Sequence, residues 1–376
     1  MRRIRRAARA RWRTAISGTG TILTAPHDAN TDIKARVLDA IKRRAPLAIV
    51  GGGSKHFLGR EAQGEPLILG EHRGVIDYHP EELVLTARAG TLLSELETLL
   101  AGHDQMFAFE PPHFGAAATL GGTIAANISG PRRAYAGFAR DFVLGTHIVN
   151  GRGEILRFGG EVMKNVAGYD LSRLVTGAMG TLGVILDVSL KVLPRPRETI
   201  TLMQPSSPRA AVEKLCRWAA APLPISASYI EDEHLYVRLS GTPSALAEAR
   251  ATIGGDVLDD ADKFWLEVRE QRRPFFGGDA PLWRISLPPA AILDLPGEQV
   301  IEWGGALRWL KTDAPATTIR AAAAKHGGHA MLFRSPVRSP EPYHPLPAPL
   351  MQLHRRIKAA MDPYGIFNRG RMYAEF

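Results

Sequence analysis

The stretch GAAATLGGTIAANISG, residues 115–130, decides how the chain is read, because eleven of the fifteen residues from Ala116 to Gly130 are Gly, Ala, Ser or Thr. A segment with so little bulk is one that something approaches closely. Small residues let backbone N–H groups face a bound anion with no Cβ in between, and a helix beginning near Thr119 would add its positive end. Close packing against another part of the same chain is the other reading. A second glycine-rich turn, Gly51-Gly52-Gly53-Ser54, follows the short apolar run PLAIV. His56 stands where a dinucleotide fingerprint requires its third glycine, and a Walker A loop cannot be aligned here, so this turn alone is an ordinary tight turn as readily as a phosphate loop. The two turns share one property. No acid lies between Glu110 and Asp141 or between Asp39 and Glu61, so both can face a diphosphate without like-charge repulsion.

Composition narrows the class. The chain has 376 residues and 45% hydrophobic content, enough for about two or three domains with real cores. No apolar run approaches the roughly 20 residues needed to cross a bilayer. The formal charge is +9, yet Arg2, Arg3, Arg5, Arg6, Arg9, Arg11 and Arg13 crowd the first thirteen residues without an acid; the remainder carries 40 basic against 38 acidic residues. The basicity therefore belongs to an N-terminal extension, expected to be disordered, and nucleic-acid binding is not expected. TAISGTGTILTAP lacks the apolar core of a secretory signal. Cys216 is the only cysteine, expected as a buried, inert thiol beside Val212 and Leu215 on a helix; one cysteine supplies neither an intrachain disulfide nor a four-cysteine iron–sulfur site.

Periodicity supplies the elements. A helix over Asp32–Arg44 precedes PLAIV, and strand-like runs follow at 67–69, 75–78 and 82–88. TLLSELETLLA reads as an amphipathic helix with Leu92, Leu96 and Leu99 on one stripe and Gly102 as its stop. FVLGTHIVNGRGEILRFGG is a hairpin turning at Asn150–Gly153. In GVILDVSLKVLP, Val184, Leu186, Val188, Leu190 and Val192 alternate with Asp187, Ser189 and Lys191. Beyond PRPR (194–197) strands and helices alternate, with a hairpin VIEWGGALRWLK and a strand HAMLFR, as in an antiparallel α+β unit. Six prolines between Pro336 and Pro349 make an extended connector to a last helix.

In order and spacing, GGGSKHFLG, PPHFGAAATLGGTIAANISGPRR, GFARDFVLGTHIVNGRGEILRFGG and VMKNVAGYDLSRLVTGAMGTLGVILDVSLKVLP resemble the FAD-binding domain of the vanillyl-alcohol oxidase / p-cresol methylhydroxylase (PCMH) family. KNVAGYDLSRL, LWRISLP, GGALRWL, HGGHAMLFR and FNRGRMYAEF extend the likeness to the C-terminus, and within that family it is to the FAD-binding subunits of glycolate oxidases. The resemblance implies an α+β fold: a PCMH-type FAD-binding domain of two α/β subdomains with a smaller antiparallel α+β cap. The expected boundaries are a basic extension over 1–27, the FAD domain over 28–197, the cap over 198–335, and the Pro-rich connector and returning helix over 336–376. It implies that Gly51, Gly52, Gly53, Ser54 and Lys55 form the first diphosphate loop, near Pro112, while Thr119, Leu120, Gly121, Gly122, Thr123, Asn127 and Ser129 wrap the diphosphate and ribityl chain. Gly180, Thr181, Gly183, Val184 and Ile185 would then meet the cofactor's remaining length. Members with covalent flavin carry His where Ser54 aligns, so FAD is expected to be non-covalent.

The chemistry implied is oxidation of glycolate or another small 2-hydroxy acid, with electrons leaving through a second FAD subunit and an iron–sulfur subunit, in the cytoplasm or at the inner face of the membrane through those partners. A non-catalytic assembly subunit with a vestigial flavin site and a standalone alcohol oxidase are the alternatives. A carboxylate substrate needs a clamp, and arginine's planar fork suits it. Arg238, Arg284, Arg308 and Arg334 each sit in a strand among apolar neighbours, either as such a clamp or snorkelling on a solvent face. The likeness favours Arg284, Arg308 and Arg334, with His329 as the candidate base or else an ordinary histidine. His326 and His329 straddle Gly327-Gly328 without a nearby carboxylate, so no metal site is expected.

Overall fold

The computed structural model describes residues 25–160, 170–339 and 341–376. The arginine-rich segment up to residue 24 and all of VMKNVAGY lie outside them. The alternating run at the end of the first half becomes β8 (Val184–Lys191), the middle strand of a five-stranded antiparallel sheet. Its order is β3 (Val75–His79), β4 (Val84–Arg88), β8, β6 (Val143–Val149), β7 (Ile155–Gly159). The alternation predicts one wet face, but β8 is buried on both. The helices Leu93–Ala101 and Leu120–Ala126 cover one side through Leu93, Leu96, Leu100, Leu120 and Ile124. The helix Asn30–Arg43 and the parallel pair β1 (Leu47–Val50) and β2 (Glu65–Ile68) cover the other. Two polar positions survive this burial because they are paired: Asp187 with His147 Nδ1 at 2.6 Å, and Ser189 with Thr86 at 2.8 Å. Leu92 precedes its helix, so the buried stripe is Leu93, Leu96 and Leu100, one register on from the expected one.

A short pair, β5 (Gln105–Met106) with β9 (Leu193–Pro194), leads to an eight-stranded antiparallel sheet. Its order is β13 (Asp256–Val257), β10 (Glu198–Pro205), β12 (His234–Gly241), β11 (Ile225–Glu231), β15 (Glu298–Glu302), β16 (Leu307–Lys311), β14 (Leu282–Ser286), β17 (His329–Arg334). Residues opposite one another in a pleated sheet share a face. Val300, Trp309, Arg284 and Met331 form one such row; Ile301, Arg308, Ile285 and Ala330 form the next, on the opposite face. The second face carries the helices Pro208–Trp218, Pro243–Ile253 and Ala316–Lys325. The first faces the FAD-loop half of the molecule, where Trp309 and Phe333 meet at 4.7 Å between ring centroids and Phe57, Phe114 and Ile128 pack against the same cluster. After the helix Ala348–Met361 the chain returns to β1, with Leu47 bridging Phe367. Among the described residues no helix is long and apolar enough to cross a membrane.

Candidate flavin and substrate site

The two small-residue turns touch, and the contact explains part of their composition. A Cβ at Gly52 would lie 1.4 Å from Ala117 O, and one at Gly51 would lie 2.5 Å from Thr119 Oγ1. At Gly121 it would meet Ala89 Cβ at 2.6 Å, and at Gly130 it would meet Glu110 O at 2.2 Å. These four glycines are required by the chain's own close packing. Gly122 differs: its Cβ would meet only Thr119 Oγ1, at 3.2 Å, and it borders a cavity also lined by Gly51–Lys55, Ile49 and Gly180.

The donors sit in the first loop. Among the described residues, none of the N–H groups from Gly51 to Lys55 is donated within the chain. In the second, Leu120 N donates to Thr91 O, Gly121 N to Ala89 O, Gly122 N to Thr119 Oγ1 and Thr123 N to Thr119 O. The expectation that successive amides of the second stretch face an anion is corrected for the start of its helix: the N–H groups of Leu120–Thr123 are occupied, and that part supplies a floor without bulk. Among the described residues no acidic side chain lines the cavity. Free consecutive amides, an open face at Gly122 and the absence of acids fit the diphosphate of FAD.

The remaining sequence-derived residues divide. Gly53, Ser54, Thr119, Gly183 and Ile185 line the cavity with the others. Leu120 and Val184 turn their side chains into hydrophobic cores, Thr181 donates its hydroxyl to Ala178 O, and Pro112 is buried without lining the cavity. The Lys55 ammonium, 3.3 Å from His113 O, tethers two loops; burial lowers its pKa to about 8, partly opposed by Glu270. Among the described residues Thr123 Oγ1 and Asn127 Oδ1 are buried with no hydrogen-bond partner, Asn127 in the left-handed conformation that ends its helix. Ser129 Oγ accepts from Ala139 N.

Sequence reasoning returns the C-terminal helix to the FAD domain but names no site residue there, and the structure brings the segment into the cavity wall. Asn368 accepts from Ile49 N through Oδ1 and donates to Met179 O through Nδ2, both at 2.6 Å. Arg371 donates to Arg60 O at 2.6 Å and reaches the carbonyls of Lys55 and His56. Lys358 donates to Thr181 O at 2.7 Å. One tail thus ties both ends of the cavity together. Asn368→Ala should strand a buried donor and a buried acceptor, lowering stability by about 1–3 kcal/mol and weakening FAD binding; thermal melts with and without FAD check both.

A second cavity of about 450 Å³ shares Ala126 and Met179 with the first. Arg284 and His329 enter it from the sheet and Arg133 from the short helix Arg133–Ala136. Among the described residues neither guanidinium forms a hydrogen bond or ion pair; both lie against Trp303, Arg133 at 4.0 Å and Arg284 at 5.1 Å from its ring centroid. Burial lowers each pKa to about 10, and the charge of Arg284 lowers that of Arg133 further, so both are cations at neutral pH and repel each other. Glu302, the acid that opposes the shift at Arg284, is itself pushed up to about 7 by burial and accepts from Trp309 Nε1 at 2.7 Å. His329 is open to solvent on one side; partial burial first, then Arg284, His344 and Arg133, lower its pKa and keep it neutral.

The other strand arginines are elsewhere. Arg238 is bound to Glu110 at 2.8 Å, as is the Arg132 beside Arg133 at 3.3 Å. Arg334 donates to Gln271 Oε1 and lies over Phe57. Arg308 is corrected most sharply. Register places it on the opposite face from Arg284, where its Nη2 donates to Pro289 O and Ala291 O.

An antiparallel-sheet cap over a two-loop dinucleotide cradle defines a PCMH-type FAD-binding flavoprotein. The 4-ethylphenol oxidase of Gulosibacter chungangensis superposes with a TM-score of 0.67 at 17% identity, covering 92% of this chain and 88% of that one; an alkyldihydroxyacetonephosphate synthase gives 0.65 at 16%, covering 91% and 76%. A family described as "FAD binding domain" matches residues 18–159. Glycolate oxidase subunit GlcE of Escherichia coli is 49% identical over 90% of this chain and 96% of its own length. Subunit GlcD of Bacillus subtilis is 33% identical over 46% of this chain and 37% of its own. The chain belongs to the GlcE family of glycolate oxidase subunits.

Proposed function

We propose that this chain is the FAD-bearing GlcE-type subunit of a glycolate (2-hydroxy acid) oxidase assembly, with the flavin held non-covalently. The observation that carries the reading is the pair of unneutralised guanidiniums, Arg133 and Arg284, beside a neutral imidazole in a cavity that shares Ala126 and Met179 with the flavin cradle. FAD held in the cradle would supply the acceptor for the hydride of the substrate's α-carbon. Arg133 and Arg284 bind the substrate carboxylate, whose charge relieves their mutual repulsion. Trp303 fixes the plane of both guanidiniums and excludes water from one side. His329, neutral, takes the hydroxyl proton. Gly51–Lys55 would donate to the diphosphate, and Asn127, which lines the second cavity, would meet the ribityl chain.

Ser54 offers no imidazole for a covalent flavin link, so acid precipitation of the yellow protein should leave FAD in the supernatant; colour retained in the pellet would contradict the non-covalent reading. The single cysteine cannot hold an iron–sulfur cluster, so we assign onward electron transfer to a second flavin subunit and a cluster-bearing subunit, in the cytoplasm or at the membrane's inner face through them. Expressed alone, the chain should show little glycolate-dependent dye reduction, and co-expression with those subunits should restore it. Flavin that glycolate never bleaches in the assembled enzyme would favour a purely structural subunit.

A base must be unprotonated to act. Because the pKa of His329 is depressed, glycolate-dependent flavin reduction in the assembly should rise with pH on the acid side of the usual histidine range and be level above it. His329→Gln should flatten that limb and slow reduction by about 10²–10⁴-fold. A retained acid limb in the variant would move the base elsewhere.

A further inference from the structure

Arg308 stands on the sheet face turned away from the flavin cradle and is 4% exposed. Its Nη2 is occupied by the carbonyls of Pro289 and Ala291 at 3.2 and 3.0 Å, while Nε is buried without any partner and no carboxylate among the described residues pairs with the charge. A guanidinium has five donors, and a buried one left without an anion is costly. Arg308 borders a cavity of about 540 Å³ between β15, β16, the helix Pro208–Trp218 and the loop after β14. That volume falls in the range of small-ligand sites, roughly 300–1,000 Å³.

The walls state what kind of anion fits. Val212, Ile301, Ala291 and Leu293 make them largely apolar. Arg217 brings further positive charge to the lining, and its acid, Glu213, is paired with Arg209 at 3.2 Å. A bare inorganic anion would satisfy Arg308 and leave the apolar walls wet; an alcohol would cover the walls and leave the charge unpaired. We propose that this cavity binds an organic monocarboxylate with a small apolar body, its carboxylate on Arg308, at a site separate from the flavin and substrate cavities. Register makes the separation unambiguous, because Arg284 and Arg308 point through opposite faces of one sheet.

Cys216 lines this cavity and is the chain's only thiol, so its alkylation by iodoacetamide in the FAD-loaded protein reports occupancy at one defined place. Hexanoate at about ten times its dissociation constant should slow labelling about tenfold, with hexanol and sulfate protecting far less at equal concentration. Equilibrium dialysis of labelled hexanoate should show one site accounting for that protection. Arg308→Gln should abolish protection. Val212→Phe, which fills the cavity and leaves the bonds of Arg308 to the two carbonyls alone, should remove the dialysis site as well; Arg284→Met should leave both readouts intact. Absence of hexanoate binding, equal protection by hexanol, or protection that survives Arg308→Gln overturns the proposal. Protection lost in Arg284→Met overturns it too, by placing the ligand in the substrate cavity.

Discussion

Gly122→Glu should yield a folded, colourless protein. Gly122 occupies the first turn of the helix Leu120–Ala126, where a glutamate is favourable both for helix propensity and for its charge near the helix start. Its backbone is not in the left-handed region, and beyond its own helix backbone and chain neighbours a new Cβ would meet Thr119 Oγ1 at 3.2 Å, which must give by only a few tenths of an ångström. The fold therefore has little reason to fail. The cavity does: the new carboxylate would project toward the amides of Gly51–Lys55, taking the position of an anion and repelling another. Flavin content should fall to near zero while the far-ultraviolet circular dichroism spectrum stays unchanged. Gly122→Ala, which adds a methyl and no charge, should retain most of the flavin. By contrast Gly52→Ala should unfold the loop contact itself, since its methyl would overlap Ala117 O. A Gly122→Glu protein that keeps its yellow colour would mean that the diphosphate does not lie where the free amides converge.

The strand and helix periodicities carry the architecture well. β4, β6, β8 and both hairpins fall where alternation places them, because one-sided or continuous apolar runs leave few other options. What periodicity misses is how many layers cover a strand. Asp187 and Ser189 read as a solvent face and are buried, because covering elements from distant parts of the chain pack on both sides of β8 and His147 and Thr86 supply partners. The same limit separates the arginines. LWRIS and ALRWL look alike as strings, yet the face each arginine occupies depends on the pairing of β14 with β16, which aligns Arg284 with Trp309 and Arg308 with Ile285. Arg133 carries a different lesson. Two adjacent arginines lie within an acid-free stretch, and which is free depends on Glu110, which binds Arg132 and leaves its neighbour unpaired. The expectation that Cys216 is buried fails mildly, since the helix buries Ala211, Val212 and Leu215 and leaves the thiol half-exposed in the cavity wall.

Replacing Arg284 or Arg133 by Met should separate stability from activity in opposite directions. Each guanidinium is desolvated, lacks a carboxylate partner and repels the other, so neutralising one removes an uncompensated charge and should leave stability unchanged or raise it. A charge-assisted hydrogen bond to a substrate carboxylate contributes about 1.5–3 kcal/mol, so either substitution should weaken glycolate-dependent flavin reduction in the assembled enzyme about 10- to 200-fold. FAD content should not change, because neither residue lines the diphosphate cavity. If both arginines bind one carboxylate, the double variant should lose less than the sum of the single losses. Arg284→Lys keeps the charge and loses the planar fork, so it should recover only part of the loss. A purely structural pair would behave otherwise: stability would fall with activity, and FAD content with both. Unchanged reduction kinetics in both Met variants would take the substrate carboxylate away from this cavity and with it the basis for a catalytic reading of the subunit.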